Sequence, residues 1–186
     1  GGSVSSNTAF GQSALNANTT GAYNTAIGIS TLAANTTGQA NTAVGQAVLA
    51  VNTTGTANVG VGAAALYVNT VGNNNTSVGA YSMFYNTTGS YNTAVGNASL
   101  YANTTGERNT AIGEEALSNN TTGIRNTAVG MYSMNANTAS YNTAVGYGSL
   151  QLNTTGGNNT AVGYQALYGN TGQSNSTAVG YQALYT

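Results

Sequence analysis

Hydrophobic and polar positions recur along this chain with one short, fixed period. The repeated unit reads Asn-Thr-Ala-Val-Gly, two variable residues, a small residue, Leu, two variable residues, Asn-Thr-Thr-Gly and two further variable residues. Its fifth-position glycines keep a 17-residue spacing, except for one step of 16 between Gly130 and Gly146. The eleven anchors are Gly11, Gly28, Gly45, Gly62, Gly79, Gly96, Gly113, Gly130, Gly146, Gly163 and Gly180. A fixed short period is typical of a solenoid, in which each unit packs only on its neighbours.

Within the unit, the first four residues alternate as in a β-strand, which places Thr and Val on one face and Asn and Ala on the other. The run around Leu predicts a second short strand. The fifth-position Gly and the Asn-Thr-Thr-Gly segment predict turns in which Gly supplies a positive φ. Asn, Thr and Gly recur too often for a helix. We therefore predict one all-β repeat array over residues 1–186: a parallel β-solenoid or β-roll of about eleven 17-residue coils, without a separate globular domain.

Stacking of the coils would align equivalent residues in columns. Columns of Asn then form amide ladders, which satisfy side chains that are otherwise unpaired. The chain has no Pro, as expected where strands are paired on both sides. We predict Val or Ile and Leu or Met as the core. The single shorter step falls in the long turn at residues 137–140, where a deletion disturbs the ladder least.

The apolar residues of one coil are too few to offset the entropy lost when the coil is ordered. We therefore expect a homo-oligomer, with a trimer favoured. The small residues at the third and eighth positions, such as Ala161 and Ala166, are predicted to form the close-contact face between chains. The first and last residues fall at successive positions of the unit, which predicts either head-to-tail stacking into a filament or a segment of a longer fibre.

Charged residues are few: two Arg, three Glu, and no Lys or His, for a net charge of −1. This balance argues against nucleic acid or an anionic membrane as a partner. Without Cys or His, thiolate metal sites and the common nucleophile–base pairs are excluded. Glu114 and Glu115 would face opposite sides of a strand and make a poor acid–base pair. We expect no enzyme, no catalytic, metal or cofactor site, and no membrane insertion by this segment, since it has no long apolar run.

Arg108 and Arg125 occupy the same position in successive units and should stack on neighbouring coils, where they could bind a carboxylate or sulfate. Tyr147, Tyr164 and Tyr181 share the sixth position and predict an exposed stripe suited to sugars or proteins. Packing at strand edges or between fibres is the alternative role for these rings.

Seven Asn residues begin an Asn-Thr-Thr sequence and are candidate N-glycosylation sites, or simply turn residues. They are Asn18, Asn35, Asn52, Asn86, Asn103, Asn120 and Asn153. The Thr columns also raise the hypothesis of an ice-binding solenoid. However, the strand Thr shares its face with Val, which predicts burial of both.

The Asn-Thr-Ala-Val-Gly core resembles the Ser-Val-Ala-Ile-Gly core of the head repeats in trimeric autotransporter adhesins. The full unit is even more similar to the repeat regions of bacterial and viral tail-fibre-like proteins. The resemblance covers residues 7–185 and implies a parallel β-roll that winds as a trimer. The period is longer than that of the adhesin heads, and no anchor, stalk or chaperone segment is present.

These observations together predict an extracellular structural rod of a cell surface or virion fibre, acting as a stiff spacer or filament subunit. Its expected partners are copies of itself. The first alternative is a receptor- or glycan-binding module that uses the variable positions and the Tyr stripes. The second alternative is an ice-binding solenoid.

Overall fold

The computed structural model describes residues 6–186, and within them the regular structure is eleven β-strands of three residues each, with no helix. The strands are β1 (Thr8–Phe10), β2 (Thr25–Ile27), β3 (Thr42–Val44), β4 (Val59–Val61), β5 (Thr76–Val78), β6 (Thr93–Val95), β7 (Thr110–Ile112), β8 (Thr127–Val129), β9 (Thr143–Val145), β10 (Thr160–Val162) and β11 (Thr177–Val179). They form one parallel sheet in chain order. Each residue pairs with its equivalent in the next coil, for example Thr160 with Thr177. The all-β parallel solenoid, with about ten turns, is confirmed.

The middle residue of each strand points into the coil and the outer two point away from it. In β10, Ala161 is fully buried, whereas Val162 is 36% exposed. The predicted alternation is therefore correct, but the assignment of its faces is wrong. The fourth-position Val is not core, and the small residues Ala161 and Ala166 fill the interior rather than a contact face between chains.

The narrowness of the coil explains this inversion. Where Val48 replaces the usual small residue at the eighth position, the third position of the next coil is Gly60. A Cβ on Gly60 would lie 2.5 Å from Val48 Cγ1. The interior has room for a branched side chain at the eighth position only when the facing third-position residue is glycine. A row of Val side chains would not fit inside, so the fourth-position Val lies outside.

The ninth-position residues form the apolar column that the sequence predicts. Leu100 and its equivalents from Leu32 to Leu150 are fully buried. Their segment is not a strand, however, because Leu100 has a φ of 52°. Its backbone still bonds across coils: Leu100 N–H donates to Ala116 O at 2.9 Å, and Ala102 N–H donates to Ser118 O at 2.8 Å. Hydrogen bonding between coils therefore continues through a turn in which left-handed residues recur.

Two buried columns of Asn occupy the rest of the interior. Asn75 Nδ2 donates to Asn58 Oδ1 at 3.2 Å and to Gly89 O at 2.9 Å. Asn86 Nδ2 donates to Asn69 Oδ1 at 2.8 Å and to the same Gly89 O at 3.0 Å. Both columns thus converge on one carbonyl in each coil, and the predicted amide ladders are confirmed.

The two glycines of the unit are required for different reasons. Gly113, at the fifth position, has a φ of 130°, a region that L side chains rarely adopt. Gly106, in the Asn-Thr-Thr-Gly turn, has no positive φ, so that expectation was wrong for this turn. A Cβ on Gly106 would instead lie 2.3 Å from Asn103 Oδ1 and 2.6 Å from Gly123 O. The turn glycine leaves room for the Asn ladder.

The short coil at residues 137–140 continues one ladder and interrupts the other. Ala139 O takes the place of the usual glycine carbonyl and accepts from Asn126 Nδ2 at 2.8 Å and from Asn137 Nδ2 at 2.9 Å. Asn120 Oδ1, in the preceding coil, is left buried without a hydrogen-bond partner. The deletion lies in the long turn as predicted, but it removes one link of the ladder.

Replacement of a ladder Asn should destabilise the rod. Asn86→Ala leaves Asn69 Oδ1 and Asn103 Nδ2 without their partner and should lower the free energy of unfolding by about 2–3 kcal/mol. Asn97→Ala is the control, because Asn97 is exposed and its position is Ala in two other coils; a change within about 0.5 kcal/mol is expected. Urea denaturation checks both values, and equal losses would contradict the ladder's role.

Addition of one methyl group at the turn glycine should have a similar effect. Gly106→Ala places Cβ against the Asn column and should cost at least about 2 kcal/mol. The matched change, Gly157→Ala, meets only Ser140 O at 3.2 Å, at a position where another coil carries Ala22. Its effect should stay below about 1 kcal/mol. Thermal unfolding of both variants checks this difference. Equal losses of stability would show a general requirement for glycine rather than a clash of the Gly106→Ala methyl group with the Asn column.

Candidate functional site

The outward side chains of the eleven strands form one continuous surface, called here the Thr/Val face. It consists of the second and fourth residues of each unit. Thr is at the second position in every strand except β4, where Val59 replaces it. None of these residues is charged. The expectation that Thr and Val would be buried together was wrong, because both rows lie outside the coil.

The Tyr column at the sixth position is tightly stacked. The ring centroids of Tyr147 and Tyr164 are 5.3 Å apart at an interplanar angle of 10°, and those of Tyr164 and Tyr181 are 5.3 Å apart at 9°. Tyr132 closes one end edge-on to Tyr147, at 5.9 Å. The column therefore presents ring edges and hydroxyls to solvent, and its inner ring faces cover one another. The stacked ring faces are closed to a sugar ring, and a role in sugar binding stays a prediction.

A second aromatic group lies around the tenth position of the unit, where the sequence places Tyr67 and Tyr101. Phe84 stacks between Tyr67 at 5.1 Å and Tyr101 at 5.6 Å, and Tyr85 meets both Phe84 and Tyr101 edge-on. Tyr81 packs beside Phe84 at 6.0 Å. The tenth-position rings could be aligned from the sequence, whereas the contacts of Tyr81 at the seventh position and Tyr85 at the eleventh required the structure.

The two arginines occupy equivalent places on neighbouring coils, as their spacing indicates. Arg125 N–H donates to Glu107 O at 3.0 Å, which sets this register. Arg108 Cζ lies 5.4 Å from the ring centroid of Tyr91, and Arg125 Cζ lies 5.6 Å from that of Tyr141. Glu107 Oε2 is 3.4 Å from Arg108 Nη1. The sequence spacing placed the arginines together but did not reveal the flanking tyrosines.

The acidic pair lies at the far end of strand β7 from the arginines. Glu114 is exposed and Glu115 is half-buried, with its Oε2 accepting from Asn135 Nδ2 at 3.2 Å. The negative charges of Glu115 and then Glu114 raise the pKa of Tyr132 above its ordinary value of 10.0. Within residues 6–186, no group of three or more His, Cys, Asp or Glu side chains is placed to hold a metal ion.

The seven candidate glycosylation residues all lie in the buried twelfth-position column. Their exposed fractions range from 0% at Asn35 to 5% at Asn18. Asn52 Nδ2, for example, donates to Asn35 Oδ1 at 2.8 Å and to Gly55 O at 3.1 Å. The folded coil therefore leaves no room for a glycan on Asn18, Asn35, Asn52, Asn86, Asn103, Asn120 or Asn153, and turn and ladder chemistry accounts for them. Other Asn-x-Ser/Thr sequences have an exposed Asn: Asn74, Asn97, Asn119, Asn158 and Asn175.

Comparison with known proteins found no match: no family model fits the chain, and no curated protein and no solved structure is similar to it. Across residues 6–186 there is also no helix with the length and hydropathy needed to cross a membrane. Inferences about function therefore depend on the surface columns themselves.

The origin of the raised Tyr132 pKa can be tested by charge removal. Glu115→Gln removes the carboxylate that contributes most to the raised pKa of Tyr132, so this pKa should fall towards 10.0. Glu107→Gln, in another column, should leave it unchanged. NMR titration of labelled tyrosine gives both values. An unaltered titration in Glu115→Gln would contradict this assignment.

Proposed function

We propose that this protein is a non-enzymatic structural rod of an extracellular fibre, on a cell surface or a virion, where it acts as a stiff spacer. The observation that carries the proposal is the unbroken stacking of equivalent strands from β1 to β11. Ten steps of about 4.8 Å give a rod of about 48 Å. Each step repeats the same parallel strand pairing, and no described segment departs from the array to form a separate site.

The composition supports an exposed, long-lived location. The chain has no Lys and only two Arg, which leaves few sites for trypsin-like proteases. Its rod does not depend on disulfides, because it has no Cys. Its repeat also resembles those of tail-fibre-like proteins and adhesin heads.

The Thr/Val face is the surface we assign to self-association, in place of the small residues that the coil itself buries. The face is uncharged, and its Val and Ile side chains are partly exposed along the whole array, for example Ile27, Ile112 and Val145. A second copy presents the same rows at the same spacing, so each apolar row meets an equivalent row. Burial of these rows between chains would add apolar contact to the thin core of each coil. A trimer is the assembly we favour.

The same face supports a second candidate function, ice binding. It displays Thr hydroxyls and Val methyls in regular rows at the spacing of β-strands. Such rows are suited to ordering water. The sequence predicted that Thr and Val would be buried together, but both lie outside the coil. The two functions exclude each other, because a face covered by another copy cannot meet ice.

One pair of substitutions distinguishes them. Val78→Asp with Val95→Asp places charges on the Thr/Val face and should convert the oligomer to monomers, weakening association by about a hundredfold or more. Ala80→Asp with Asn97→Asp adds the same charge at the outward-facing sixth position of the same coils and should leave the assembly intact. Analytical ultracentrifugation measures the mass of each.

A wild-type protein that stays monomeric at all concentrations would contradict self-association. Thermal hysteresis of that monomer, lost in the Val78→Asp, Val95→Asp variant, would instead establish the ice-binding alternative. A wild-type oligomer without thermal hysteresis is the expected result.

A further inference from the structure

The only two cationic side chains of the 186-residue chain lie next to each other in one surface column. This column, called here the arginine column, contains Tyr91, Arg108, Arg125 and Tyr141 in four successive coils. It spans about 14 Å, or three steps of a parallel sheet. The arginine pair therefore has one tyrosine on each side.

Each guanidinium in this column has unused hydrogen-bonding capacity. A guanidinium carries five N–H donors in its own plane. A cation–π contact engages one ring and leaves N–H edges of the guanidinium free to donate. Each guanidinium has one long hydrogen bond to a protein side chain. Glu107 Oε2 lies 3.4 Å from Arg108 Nη1, and Tyr141 Oη lies 3.4 Å from Arg125 Nη1. The Arg108 side chain is 53% exposed, so these edges are open to a ligand.

The charge balance of the column favours an anion. Two positive charges face one negative charge, Glu107, while the equivalent residues of the next two coils are Ile124 and Ser140. Like charges at equivalent positions of neighbouring coils repel each other. The remaining carboxylates, Glu114 and Glu115, follow the opposite end of strand β7. An oxyanion that accepts from both guanidinium groups would relieve the repulsion and form charge-assisted hydrogen bonds.

The flanking rings distinguish this column from the stacked sixth column. Beyond Tyr91 the next residue of the column is Asn74, and beyond Tyr141 it is Asn158, so no further ring stacks on either tyrosine. Tyr91 is 56% exposed and Tyr141 is 47% exposed. Exposed tyrosine rings beside guanidinium groups suit a ligand that combines apolar C–H surfaces with an acidic group. Two arginines are too few for a nucleic acid or an anionic membrane.

We propose that the arginine column binds an acidic saccharide. A carboxylate or sulfate group of the sugar bridges Arg108 and Arg125, and adjoining sugar rings lie against Tyr91 or Tyr141. This activity is separate from the structural role of the rod, so the failure of one does not affect the other.

Isothermal titration calorimetry of the wild-type protein tests the proposal with four probes: an oligogalacturonate, a sulfated oligosaccharide, a neutral oligosaccharide and inorganic sulfate. Binding of either acidic oligosaccharide, weakened by added salt, is the expected result. Failure of both acidic probes would overturn the proposal. Equal binding of the neutral oligosaccharide, or of inorganic sulfate alone, would overturn the assignment to an acidic sugar.

Matched variants test the residues. Arg108→Ala with Arg125→Ala should lower affinity by about tenfold or more. This change keeps the fold, because Ala40 and Ala57 occupy the same column. Glu107→Gln removes the competing carboxylate and should raise affinity about threefold. Tyr23→Ala, remote in the same column, should have no effect. Unchanged binding by the double Arg variant, or weaker binding by Glu107→Gln, would contradict the bridged anion.

Discussion

The structure depends on hydrogen bonds between buried Asn side chains and one turn carbonyl in each coil, which belongs to glycine in every coil except those of Ala139 and Gln173. The apolar core of a coil this narrow is limited to one Leu or Met column and the small residues beside it, and two Asn columns fill the rest of the interior. A buried amide is costly unless it is paired, and here its partners lie in the neighbouring coils. The pairing therefore ties each coil to the next. It also requires a residue without a side chain beside it, which explains the turn glycines.

Backbone strain is distributed evenly along the same array. In a typical coil, non-glycine residues at the seventh, ninth and seventeenth positions have a positive φ, such as Ala98, Leu100 and Arg108. Each of these costs about 1–2 kcal/mol relative to the ordinary right-handed region. They persist because their N–H groups bond to neighbouring coils: Ala98 N–H donates to Ala80 O at 3.0 Å, for instance. The turns are thus held by the same contacts between coils that hold the strands.

The period, the parallel register, the Leu column and the Asn ladders could all be predicted from the sequence, because repetition places equivalent residues together. Which face of the strand lies inside could not. Alternation defines two faces, and hydrophobicity alone favours burial of Val over Ala; the deciding factor is volume, visible only where Val48 meets Gly60. The column of Arg108 and Arg125 followed from spacing. The cation–π contact of Arg125 with Tyr141 crosses the short coil, where the regular spacing fails, and required the structure.

The short coil at residues 137–140 has a consequence for how two such rods align side by side. A perfectly periodic rod that slides along its partner by one coil loses only one row of contacts, so neighbouring alignments have almost equal energy. In a pair of rods that met through their long turns, a single shortened coil would remove this degeneracy, because the two short turns would match in only one alignment. In such a pair, the interruption that leaves Asn120 Oδ1 unpaired would select one alignment from a series of near-equivalent ones.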